Sequence, residues 1–345
     1  MLDLNSILEG RLRWTGVEDI SANVGFYPSS ASVEYKDDLG RTKIAGYCLR
    51  QQYYNWCGVP ATNPPDLAAL LKMHLGNVIH DAISELLSRS PAFLGAEKRM
   101  YRPYNEGRPS VSGRVDLFLF DEIAALPVIG EVKTGGGYFF ERYTTKGTKS
   151  EPPRPRDGDV CQILTYIDFY GQFGVEQGIL FYVDRASGYT KQYVVRMDSD
   201  GSAFIQSDEI AEYWRHINIG AIDARWARLQ AHLEAAELPK RDFHLQYPNE
   251  MIVQMYEEGE LNRTDTPKVK KQIAAGYDEE QPLLVKGDWQ CGFCKFKDLC
   301  YGREWDDSFK VEEVARPFKL SPELSRRVAK GNALADAQQE VVDIL

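Results

Sequence analysis

Glu131-Val132-Lys133 sets a carboxylate and an ammonium two residues apart, and in a β-strand residues i and i+2 share a face. The two side chains then project together while Val132 points into the core. Hard divalent cations such as Mg²⁺ and Mn²⁺ take oxygen ligands, in phosphate chemistry commonly one or two carboxylates plus substrate and water. Glu131 and Asp116 are candidates for that task. An acid so placed can hold an ion that lowers the pKa of a water, and the lysine can orient that water or offset charge growing on a phosphate. Asp116 stands out because it interrupts an otherwise apolar stretch, Val115-Asp116-Leu117-Phe118-Leu119-Phe120, where an unpaired carboxylate is costly.

Further polar residues recur at helical spacing. His80 follows Gly76 by four residues, and a glycine there lets a helix approach another backbone closely. Gln162 and Tyr166 stand at i and i+4 and share a helix face. A second chemistry is carried by Cys291-x-x-Cys294-x5-Cys300, which brings three soft ligands together among Trp289, Phe293, Phe296 and Tyr301. Tetrahedral thiolate sites suit zinc or an iron–sulfur cluster and commonly need a fourth ligand. Cys48 and Cys57 are both candidates for it, whereas Cys161, beside Gln162, reads as a small core residue.

The elements that must position these residues follow from periodicity. The run 66–87 after Pro64-Pro65 predicts a helix with Leu67, Leu70, Leu71, Val78, Ala82, Ile83, Leu86 and Leu87 on one broad apolar face. Segments 113–120 and 126–133 read as strands that pair, and Gly135-Gly136-Gly137 then breaks the chain. Residues 141–158 read as a loop with Pro152, Pro153 and Pro155, and 159–170 as a helix. Two strands joined by a turn are expected over 178–197, and a long amphipathic helix over 207–237. The alternation is that of a mixed α/β core. The expected domains are an N-terminal segment (1–46), a core (47–237), a region bearing the clustered cysteines (238–305) and a charged helical tail (306–345).

Composition narrows the function classes. With 43% hydrophobic residues and 345 positions, the chain can bury one large core with an appended subdomain. Apolar stretches fall short of the roughly 18 residues that a membrane-spanning helix needs, and the first residues carry no basic, apolar secretory pattern, so a soluble, intracellular (cytoplasmic) protein without a membrane partner is expected. Six cysteines, unevenly spaced, point to reduced thiols, some of them ligands. A formal charge of −10 argues against non-specific coating of nucleic acid, so a nucleic acid must meet a local basic patch. The best patch is 142–156, where Arg142, Lys146, Lys149, Arg154 and Arg156 face one acid next to Tyr138, Phe139, Phe140 and Tyr143. Its cations would attract phosphate and its aromatics could stack on unpaired bases.

The order Gly76-x-x-x-His80, Gly113-Arg-Val-Asp116, Glu131-Val-Lys133, Gln162-x-x-x-Tyr166 resembles the RecB-like branch of the PD-(D/E)XK nuclease superfamily. Valine at 115, where the superfamily's name has proline, is common in that branch. The resemblance implies a restriction-endonuclease-like core, a central mixed sheet flanked by helices, with a cysteine-clasped C-terminal segment. It implies a Mg²⁺- or Mn²⁺-dependent deoxyribonuclease, an exonuclease on single-stranded DNA or DNA ends. By the same resemblance His80, Asp116, Glu131 and the Val132 carbonyl bind the metal, Lys133 acts in catalysis, and Gln162 and Tyr166 line the substrate groove. Members similar to AddB-type repair nucleases and CRISPR-associated adaptation exonucleases hold a [4Fe-4S] cluster on one upstream and three C-terminal cysteines. That pattern favours Cys48 with Cys291, Cys294 and Cys300, with Cys57 as the rival and zinc as the alternative metal. A second function class stays open, an idle nucleic-acid-binding or assembly subunit, and protein partners are not legible.

Overall fold

The structure is a computed structural model that describes residues 5, 8, 11, 12, 25–105, 107–137, 140, 141, 144, 146–148, 151–277 and 281–301. In chain order its elements are β1 (Ser32–Lys36), β2 (Thr42–Gly46), α1 (Leu49–Trp56), α2 (Leu67–Leu87), β3 (Phe93–Arg102), β4 (Val111–Asp121), β5 (Leu126–Gly135), α3 (Asp157–Tyr170), β6 (Gln177–Asp184), β7 (Thr190–Met197), β8 (Ser202–Gln206), β9 (Ala211–Asn218), α4 (Ile219–Ala235), α5 (Asn249–Glu257), α6 (Thr266–Ala274), α7 (Trp289–Gly292) and α8 (Lys297–Tyr301). Of the described residues, one compact unit holds those up to 47 and those of 65–237, and a second holds 48–64 and those of 238–301. Residues 48–64, expected within a continuous core, thus cluster with the cysteine-bearing region. The expected tail, 306–345, lies outside the described residues.

The first unit is built on a seven-stranded mixed sheet of order β3-β4-β5-β6-β7-β8-β9. Neighbours run antiparallel except β5 and β6, which are parallel and joined by α3. Parallel neighbours need such a crossover, and α3 is the element that meets the cost of it by burial. Val160, Cys161, Ile163 and Leu164 of α3 are fully covered, as are Ile129, Leu180 and Tyr182 of the strands. Cys161 is therefore the core residue expected. Asp157 and Asp159 in the first turn of α3 suit the positive end of its dipole. The two-stranded sheet β1–β2 is a hairpin whose turn contains Gly40 at φ +76.

Two expectations about this unit are corrected. The segment 207–237 is not one helix: β9 pairs with β8, and α4 begins only at Ile219, where the Asn218 side chain accepts the Gly220 N–H at 2.8 Å. Tertiary pairing and an Asn cap override a helical apolar period there. The helix α2 forms as expected, capped by Asp66 on the Ala69 N–H at 2.7 Å, but its apolar face is not buried. Gly76 is its one buried residue, while Leu71, Val78 and Leu86 are exposed. The helix meets β4 and β5 along the narrow stripe that Gly76 allows.

The second unit gathers α1 against residues 238–243 and 290–301. Cys48 immediately precedes α1 without a side-chain cap, the Leu49 N–H donates to Asp242 at 2.5 Å, and Arg50 Nε donates to the Pro239 carbonyl at 2.6 Å. A separate small core of Ile252, Leu261, Val269 and Leu283 holds α5 and α6. Among the described residues no helix is long and apolar enough to cross a membrane.

Candidate active site

The antiparallel ladder between β4 and β5 stops at Leu117↔Gly130. Beyond that point the Asp116 carboxylate takes over the ladder's work, its Oδ2 accepting the Val132 N–H at 2.8 Å. The strands therefore open around Asp116 and Glu131, and a side chain fixes the peptide that follows Glu131. The His80 imidazole on α2 reaches the same oxygen, Nδ1 lying 3.4 Å from Asp116 Oδ2.

Glu131 is 1% exposed and is served on one oxygen only. Its Oε2 accepts from Lys133 Nζ at 3.0 Å and from Gln162 Nε2 at 2.8 Å, while Oε1 is buried with no hydrogen-bond partner. Burial pushes the Glu131 carboxyl above the usual carboxylate range, Lys133 opposes the rise, and the charge of Asp116 adds to it. Lys133 is held above its ordinary value, the charges of Glu131, Asp159 and Asp116 outweighing its desolvation. Gln162 ties the set together, because its Oε1 accepts from Lys133 at 2.7 Å while its Nε2 donates to Glu131. The expectation that Glu131 and Lys133 project together is met, and Val132 is buried between them.

The glycines of the four motifs have steric reasons. A Cβ on Gly76 would lie 2.9 Å from Thr134 Oγ1 on β5, so the glycine sets how closely α2 brings His80 to the site. A Cβ on Gly113 would lie 2.9 Å from the Tyr166 hydroxyl and 3.0 Å from Pro28. That hydroxyl donates to the Arg114 carbonyl at 2.7 Å, so Tyr166 and Gly113 fit one another. Gln162 and Tyr166 are accordingly buried positioning residues, 7% and 2% exposed, and do not present their polar atoms to an open groove.

As the side chains stand, no set of three or more His, Cys, Asp or Glu among the described residues could hold a metal ion. The site's charge is balanced by Lys133, and holding an ion there requires side-chain movement. The donors nonetheless suit a hard divalent cation: two carboxylates, an imidazole, a peptide oxygen and one buried carboxylate oxygen without a partner. Glu97 of β3, which no motif marks, joins the rim with its Oε2 3.1 Å from Arg114 Nε.

In the second unit, Cys48, Cys291, Cys294 and Cys300 line one space of about 400 Å³, open solvent included, together with Arg50, Tyr54, Arg241, Phe296 and Tyr301. Cys57 does not line it and sits at the other end of α1, about 13 Å along the axis at the usual helical rise. Arg50 Nη1 lies 3.9 Å from Cys300 Sγ, and the Phe296 N–H donates to Cys294 Sγ at 3.4 Å. Burial raises Cys48 to about 12 and Cys291 to about 11. The four thiols share this aromatic- and cation-walled space but, like the carboxylates above, are not drawn together as a metal-holding set where the side chains stand.

The basic loop is less free than its composition suggests. Arg142 and Lys149 lie outside the described residues. Lys146 pairs with Glu141, Arg154 with Glu212 at 2.8 Å, and Arg156 with Asp159 at 2.9 Å. Arg154 and Arg156 line a cleft of about 890 Å³, open solvent included, with Tyr35, Asp157, Trp214 and His216. The loop's cations come interleaved with acids, Glu141, Asp157 and Asp159 from nearby in the sequence and Glu212 from far away.

No family model and no curated protein matches the chain. A crystal structure of SSO0001 is similar to it at 13% identity and a TM-score of 0.41, over 88% of this chain and 98% of that one.

Proposed function

We propose that the chain is a metal-dependent DNA nuclease of the RecB-like PD-(D/E)XK type, hydrolysing phosphodiester bonds in single-stranded or end-bearing DNA. The observation that carries this reading is the buried, unpartnered Oε1 of Glu131, one carboxylate away from Lys133 and across the opened strands from Asp116. A buried carboxylate oxygen left without a partner is costly, and a cation ligand is the natural occupant of its lone pairs. When bound, Mg²⁺ or Mn²⁺ would supply Lewis-acid activation of water and phosphate.

The chain's own residues do the rest. His80, Asp116, Glu131 and the Val132 carbonyl would hold the ion. Asp116 also grips the Val132 N–H, which fixes the orientation of the strand that carries Glu131 and Lys133. Lys133 offers a fixed positive charge beside the scissile phosphate, where it stabilises charge on the phosphoryl oxygens and orients the attacking water. Gln162 holds Lys133 and Glu131 at their mutual distance, and Tyr166 anchors α3 to β4 through the Arg114 carbonyl.

Cys48, Cys291, Cys294 and Cys300 would hold a [4Fe-4S] cluster, whose part is structural because hydrolysis transfers no electrons. Zinc is distinguished from it by colour, since the purified cluster protein is brown and a zinc protein colourless. The test of the activity is incubation of labelled DNA with Mn²⁺ and either the parent protein or Lys133→Ala. Degradation by the parent alone is expected; equal degradation by both means that the site is elsewhere, and none by either under broad conditions favours a binding subunit.

A further inference from the structure

Glu97 adds a third carboxylate to the rim of this site. The β3–β4 register pairs Ala96 with Leu117 and Lys98 with Val115, which sets Glu97 across from Asp116. Like charges that face one another across neighbouring strands repel. The Glu97 backbone has φ +53, in the left-handed region that residues other than glycine adopt at a cost. Burial raises its pKa, Arg114 opposes the rise, the charges of Asp116 and Asp81 add to it, and His80 opposes it. A strained backbone thus presents a carboxylate to another carboxylate, at a position 51% exposed and open to solvent. Asp116 in turn acts on Glu131, whose Oε1 is unpartnered in a residue 1% exposed.

We propose that Glu97 is a further oxygen ligand of the divalent cation taken by the Asp116–Glu131 site, reaching it from the neighbouring strand. This rests on the metal-dependent reading above. A cation between Asp116 and Glu97 turns their repulsion into shared attraction, and it gives the strained residue a reason to be glutamate where glycine would fit the backbone better. The cation that faces Glu97 in the structure is Arg114, at 3.1 Å. A hard cation with six or more oxygen ligands has room for this carboxylate beside the others, and added ligand charge tightens binding.

The experiment is a calorimetric titration with Mn²⁺ alone, on the full chain, for the parent protein, Glu97→Gln, Glu97→Gly and Glu131→Gln, with metal-free melting curves of each. Loss of Mn²⁺ binding in Glu131→Gln and a Kd raised about tenfold or more in both Glu97 variants are expected. Glu97→Gly should also melt about 2 °C higher than the parent without metal, because glycine accepts the positive φ. Parent-like Mn²⁺ affinity in both Glu97 variants, with binding lost in Glu131→Gln, overturns the role of Glu97 and leaves the site standing. Parent-like affinity in Glu131→Gln overturns the metal site itself, and the role of Glu97 with it.

Discussion

Gly113→Ala probes how two of the sequence motifs depend on one another. The new methyl would lie 2.9 Å from the Tyr166 hydroxyl and 3.0 and 3.1 Å from Pro28, closer than carbon atoms pack in folded cores. Forcing a methyl into filled space costs about 1–3 kcal/mol. Displacing the Tyr166 hydroxyl from the Arg114 carbonyl adds about 0.5–1.5 kcal/mol for the lost hydrogen bond. The single variant should therefore lose about 2–4 kcal/mol. Tyr166→Phe alone should lose about 1 kcal/mol, the value of that hydrogen bond. In Gly113→Ala/Tyr166→Phe the hydrogen bond is lost only once and the closest contact is gone, so the double variant should be about 1–2 kcal/mol more stable than the sum of the singles. The Pro28 contacts remain, so the relief should be partial. Urea unfolding followed by circular dichroism reads all four proteins. Additive losses within about 0.5 kcal/mol would refute the argument that Tyr166 is what makes Gly113 necessary.

Gly76→Ala should cost at least about tenfold in kcat/KM by pressing α2 and His80 away from β5, and Thr134→Ala in the same protein should restore most of it, because the 2.9 Å contact is to Thr134 Oγ1. If the proposed [4Fe-4S] cluster is present, Cys48→Ala should abolish iron content and visible absorbance whereas Cys57→Ala should keep both, as follows from which thiols line the common space. Glu212→Gln releases Arg154 from its ion pair, so it should tighten binding of a single-stranded oligonucleotide and steepen the slope of log K against log salt by about 0.7; an unchanged slope would show that Arg154 does not meet phosphate.

Much of the site could be read without coordinates because its residues sit on elements with strong periods. Asp116 and Glu131-Val132-Lys133 lie on strands whose apolar alternation marks β4 and β5, and Gln162 with Tyr166 lies on α3, whose all-round apolar character matches its burial on several sides. What could not be read depends on contacts between distant residues. The apolar face of α2 carries the same spacing whether or not another element covers it, so the exposure of Leu71, Val78 and Leu86 left no mark in the sequence. The pairing of Arg154 with Glu212 spans 58 residues, and the loop's composition alone suggested free cations. Cys48 and Cys57 are neighbours in sequence, and only the helix between them separates one from the cysteine-lined space. Within 207–237 a usable signal was present: Asn218 is a good helix cap, and Trp214 and Ile217 are the buried residues of a strand that precedes it. Glu97 gave no sequence signal, since its positive φ and its place opposite Asp116 arise from strand register.

The central claim is that the partnerless oxygen of Glu131 is a metal ligand of a nuclease. It is tested most directly by Mn²⁺-dependent release of acid-soluble nucleotides from uniformly labelled single-stranded DNA, measured for the parent protein and for Glu131→Gln, which keeps the size of the side chain and removes its charge. Release by the parent that stops on chelation, with Glu131→Gln lower by about 100-fold or more, is the expected result. Equal release by the two proteins would contradict it.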